Sequence, residues 1–93
     1  MKYMLSWRIA CENHKAAGEL FLQSGAPVPD GMQLIGRWHA PGSVTGWALV
    51  ESDDPKAIYE HAGQWAALLE LEATPVLEDA EAGEALARVY GEK

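Results

Sequence analysis

The apolar residues of this chain change their spacing from segment to segment in the order strand, helix, strand, strand, helix, strand, helix, and few folds accept that order. Tyr3, Leu5, Trp7 and Ile9 alternate with Met4, Ser6 and Arg8, a two-residue period that predicts a strand over 3–9. Asn13 stands where a helix cap belongs, Ala16, Ala17, Leu20 and Phe21 recur at helical spacing, and Gly25 supplies a left-handed stop. After a Pro-rich connector, residues 32–40 and 46–52 predict two further strands, joined through Pro41-Gly42 as an antiparallel hairpin. Asp54-Pro55 opens a helix, with Asp as the cap and Pro at the first helical position, where its missing N–H does no harm. That helix carries Ile58, Ala62, Trp65 and Leu69 on one stripe. Residues 68–77 alternate again, and Pro75 places that strand at an edge or at its own end. A last helix starts at Glu78-Asp79, with Ala82, Leu86 and Val89 expected to turn inward and Gly91 to close it.

The first six elements are the split βαβ repeat of ferredoxin-like folds. The expectation is an α+β, ferredoxin-like βαββαβ domain over 1–93 with an extra C-terminal helix, a four-stranded antiparallel sheet and both crossover helices on one face. Four Trp, three Tyr and one Phe are many large side chains for a 93-residue interior. With one sheet face uncovered, a second copy is expected to cover it, giving a homodimer that closes as a dimeric α/β barrel.

Charge narrows the partners. Residues 1–50 hold four cations against three acids, and residues 51–93 hold three against eleven, for a net charge of −7. No Lys/Arg cluster offsets the acidic half, which argues against nucleic-acid binding. A lone Cys11 excludes an internal disulfide and a Cys-rich zinc site. The N-terminal apolar run is too short for a signal peptide, and no run approaches the roughly 20 residues of a membrane span, so a cytoplasmic protein with no membrane partner is expected.

Gly36-Arg37-Trp38-His39 and Gly46-Trp47 gather the candidate site residues. Arg37 and His39 lie two apart on a strand and so share one face. A guanidinium beside an imidazole holds a carboxylate or enolate, with His39 the candidate catalytic residue exchanging a proton near neutral pH. The same pair also reads as a strand rim salt-bridged to a partner's Glu70 or Glu72. Arg8, the other arginine that interrupts an apolar strand, joins Arg37 as a ligand-binding candidate, and Trp7 and Trp47 are candidate aromatic walls. His61 and Trp65 share a helix face. There His61 reads as a base beneath the sheet or as a flank residue bonded to a carbonyl. His14, in the first turn of a helix, reads as surface. The histidines lack metal-ligand spacing, and no phosphate loop or serine elbow is present, so neither metal nor cofactor is expected.

Tyr3-Met4-Leu5-Ser6-Trp7-Arg8, Asn13-His14-Lys15-Ala16-Ala17, Gly36-Arg37-Trp38-His39 and the stretch from Gly46 to Glu51 resemble a family of small bacterial proteins catalogued only as a domain of unknown function. Asp53-Asp54-Pro55 and residues 65–75 fit it as well. The likeness spans nearly the whole chain and implies a place among the dimeric α/β-barrel proteins of ferredoxin-like fold. That superfamily includes cofactor-independent monooxygenases, small isomerases and haem-degrading enzymes. The resemblance therefore implies a dimer binding a small organic molecule, with a cofactor-independent oxygenase or isomerase as the enzymatic form. A non-catalytic scaffold and a haem-binding protein are the alternatives.

Overall fold

A computed structural model describes residues 1–91 as an α+β protein with one four-stranded antiparallel sheet and three helices. The strands are β1 (Lys2–Ile9), β2 (Gln33–His39), β3 (Thr45–Glu51) and β4 (Leu69–Val76), and the α-helices are α1 (His14–Ser24), α2 (Pro55–Trp65) and α3 (Asp79–Tyr90). The strands lie in the order β2-β3-β1-β4. The apolar-rich β1 is central and β4, with Pro75, is an edge.

Alternation then sorts the side chains. Tyr3, Leu5 and Trp7 pair across β1 with Val50, Ala48 and Gly46 of β3, and with Pro75, Ala73 and Leu71 of β4. This is the covered face. Leu5, Ala48, Val50 and Ile58 of α2 form its buried core, with Tyr3, Trp7, Met32 and Leu71 packed around them. Burying one such aliphatic side chain fully is worth about 1.5–3 kcal/mol, so this small cluster is the main apolar stabilisation of the fold. Gly46 is required where Trp7 crosses β3, because a Cβ there would collide with the indole.

The other sheet face carries Trp38 and Trp47, which are direct cross-strand partners and stand 54% and 44% exposed. Trp38 folds over Gly36, whose added Cβ would lie 2.6 Å from the ring. A register shift between Leu34 and Gly36 marks a bulge in β2.

Local signals set the helix ends. Asp54 accepts a hydrogen bond from the Lys56 backbone N–H at 3.0 Å, with Pro55 as the first helical residue. Gly25 takes φ 72° and donates to the Phe21 carbonyl at 2.8 Å. Asn13 occupies the cap position of α1 without a capping bond, because a 3-10 turn over Cys11–Asn13 runs straight into the helix. Leu69 falls outside α2 and opens β4.

α3 departs from expectation. Glu78 and Glu81 close a reciprocal capping box, yet no α3 residue is buried, and Leu86 and Val89 are 56% and 65% exposed rather than inward. α1 and α2 connect strands of the sheet and supply the buried helix residues Ala17, Ala57, Ile58 and His61, whereas α3 follows the last strand and supplies none. The radius of gyration, 16.0 Å, exceeds the roughly 12 Å of a compact chain of this length, consistent with a projecting α3.

Candidate functional site

A half-open cavity of about 230 Å³ lies between α1, α2 and the covered face of the sheet. α1 presents His14, Ala17, Gly18 and Phe21, which are spaced i, i+3, i+4 and i+7 and so form one helical stripe. α2 contributes His61 and Trp65, and β1 contributes Trp7 and Ile9. β2 brings Arg37 and His39, whose common face follows from strand alternation.

All three histidines of the chain and one of its three arginines therefore line one cavity, and among the described residues no acid does. The walls are otherwise apolar or aromatic.

Arg37 donates from Nη2 to the Ala26 carbonyl at 2.7 Å and from Nη1 to the Gly25 carbonyl at 3.3 Å. Those oxygens lie at the C-terminal end of α1, where the backbone favours a cation. The guanidinium also sits 5.9 Å from the Phe21 ring centroid. It forms no ion pair among the described residues, and its remaining N–H groups are unspent. Burial lowers its pKa from the usual value, the cost of a cation with no counter-charge.

His39 is held between two aromatic rings, Trp7 at 5.5 Å and Phe21 at 5.3 Å between centroids. His61 is buried, and its Nδ1 has no hydrogen-bond partner among the described residues. It is not the carbonyl-bonded flank residue of the alternative reading. Burial holds its pKa below the ordinary value; the Gln64 side chain favours the charged form, and the Arg37 cation opposes it. At the cavity rim, His14 Nε2 and Ser43 Oγ lie 2.7 Å apart.

Of the residues singled out in the sequence, the fold brings Trp7, Arg37 and His39 together and separates them from Arg8 and Trp47. Trp47 pairs with Ser6 and alternates with the buried residues Gly46 and Ala48, so it projects from the opposite face. Arg8 alternates with Trp7, lies across from Glu70, and borders a separate depression with Asn13 and Leu68. Glu70 and Glu72, across from Arg8 and Ser6, are on that opposite face as well, and neither pairs with Arg37 within the chain. His14, Gly18, Phe21, Ser43, His61 and Trp65 line the cavity as well. For α1 the signal was present: His14 shares the helical spacing of Ala17 and Phe21. Ser43 carried none, because a loop fold-back has no period.

Among the described residues, no group of three or more His, Cys, Asp or Glu side chains is arranged to hold a metal ion. No described helix is long and apolar enough to cross a membrane.

Residues 1–90 match the family described as Domain of unknown function (DUF3303). The chain belongs to that family. Comparison with curated proteins and with solved structures finds no match.

Proposed function

We propose that this protein is a homodimer of ferredoxin-like fold that binds a small ring carboxylate in the cavity between α1, α2 and the sheet. The order β2-β3-β1-β4, in which α1 and α2 each link two strands that flank a third, supports the split βαβ assignment. The exposed Trp38–Trp47 pair supplies apolar surface for a second copy.

Arg37 carries the ligand assignment. A half-buried guanidinium with free donors, in a cavity lined by no acid among the described residues, is stabilised by a bound carboxylate, which accepts from it in a paired geometry. His39, two residues along the same strand face, is then the side chain placed to exchange a proton with the ligand. That is the chemistry of a cofactor-independent isomerase or oxygenase. The volume, about 230 Å³, falls below the roughly 300–1,000 Å³ of common ligand pockets and favours a single-ring molecule over a tetrapyrrole.

Thermal-shift titration tests the assignment. Aromatic acids raise the melting temperature of the parent and their neutral amides do not. Arg37→Gln removes the charge, stays folded by circular dichroism and loses the response. Equal shifts from acid and amide, or none from any acid, overturn the ligand assignment and leave a scaffold dimer. A Soret band at stoichiometric haem would replace it with the haem-binding alternative.

A further inference from the structure

The cavity has two polar ends, and a simple carboxylate occupies only one. At the first end, Arg37 is tied to the carbonyls of Gly25 and Ala26, beyond the last turn of α1. At the second, His14, the first residue of α1, meets Ser43 of the β2–β3 loop at 2.7 Å. From His14 to Gly25 the helix advances by about 16 Å at its usual rise. Both ends border the same cavity.

Two features link the ends. Among the described residues, the non-glycine positions with left-handed backbone are Ala26, at φ 47°, and Ser43, at φ 73°. One stands at each end. A non-glycine residue held there costs on the order of 1–3 kcal/mol. At these two positions the Ala26 carbonyl accepts from Arg37 and the Ser43 hydroxyl meets His14. The second feature is Gly18, one turn on from His14. A helix-interior glycine is about 1 kcal/mol less favourable than alanine. Packing does not demand it, since an added Cβ would meet nothing within 4 Å, and the space beside it is the cavity.

The geometry points to an elongated aromatic acid as the ligand, its carboxylate on Arg37 and a hydroxyl at its far end received by His14 and Ser43, with its ring passing Gly18. A neutral imidazole nitrogen and a serine hydroxyl can each donate or accept, and a ligand hydroxyl does both, whereas a second carboxylate only accepts. This rests on the carboxylate assignment above and adds the length and the second group.

Calorimetric titration of the full-length protein with cinnamate and 4-hydroxycinnamate tests it. The hydroxylated acid binds roughly 3- to 10-fold more tightly, as one net hydrogen bond gives. In His14→Ala and in Ser43→Ala, both at exposed positions, the advantage of 4-hydroxycinnamate over cinnamate disappears. Gly18→Leu keeps or raises the melting temperature and weakens both acids. Equal affinity of the two acids for the parent, or an advantage that survives both alanine variants, overturns the two-ended ligand while leaving the carboxylate site standing. Binding of neither acid overturns both.

Discussion

Burial disfavours the charged form of the His61 imidazole and lowers its pKa, with the Arg37 cation adding to the shift and the Gln64 side chain opposing it. The consequence is a pH-dependent stability. In the unfolded chain His61 titrates near its ordinary 6.5, and in the folded chain it titrates lower. Below 6.5 the unfolded state therefore binds a proton that the native state does not, and stability falls with falling pH until the folded pKa is passed. Each unit of separation is worth about 1.4 kcal/mol. Melting curves between pH 7.5 and 5.5 should show a decline in the parent that is flattened in His61→Gln. An identical decline in both proteins would place the titrating group elsewhere. Arg37 poses the matching case of a cation short of a counter-charge, but there the α1 carbonyls offset part of the cost.

At the scale of elements, the boundaries with explicit stereochemistry are the ones already visible in the sequence. Asp54-Pro55 caps α2, Gly25 ends α1, and Pro75 lies on an edge strand. Asp54→Ala removes the acceptor of the Lys56 N–H and should cost about 1 kcal/mol in urea unfolding, with Asp54→Asn close to the parent. An alanine variant as stable as the parent would mean that the Ser52 hydroxyl, which accepts from the Asp54 N–H at 3.0 Å, already fixes this turn. α3 shows the limit of periodicity. Its spacing of Ala82, Leu86 and Val89 marks a helix but not a surface for it to rest on, and α3 ends with no buried residue.

For the whole molecule, one sheet face is covered by helices and the other presents Trp38 and Trp47 to solvent. If a second copy covers that face, light scattering at micromolar concentration should give about twice the 10.1 kDa of one chain. Trp47→Arg places a charge in the middle of the interface and should yield a folded monomer with unchanged far-ultraviolet dichroism, since this side chain takes no part in the buried core. A monomeric parent would remove the homodimer from the proposal. The cavity lined by Arg37 and His39, on the other sheet face, would be unaffected.

The sequence by itself determined the element order, the capped helix ends and the pairing of Arg37 with His39 on one face, because each depends on neighbours within a few residues. It also placed Trp7 on the face of Leu5 and Ile9. Which of those faces would be covered depended on register, and register joins residues far apart in the chain. Only the pairing of Trp7 with Gly46 and of Ser6 with Trp47 sent the two tryptophans to opposite sides, and the same alternation carried Arg8 away from Arg37. The convergence of His14, His39 and His61 likewise required α1, α2 and β2 to be laid together, since nothing local relates three elements separated by loops of no fixed period.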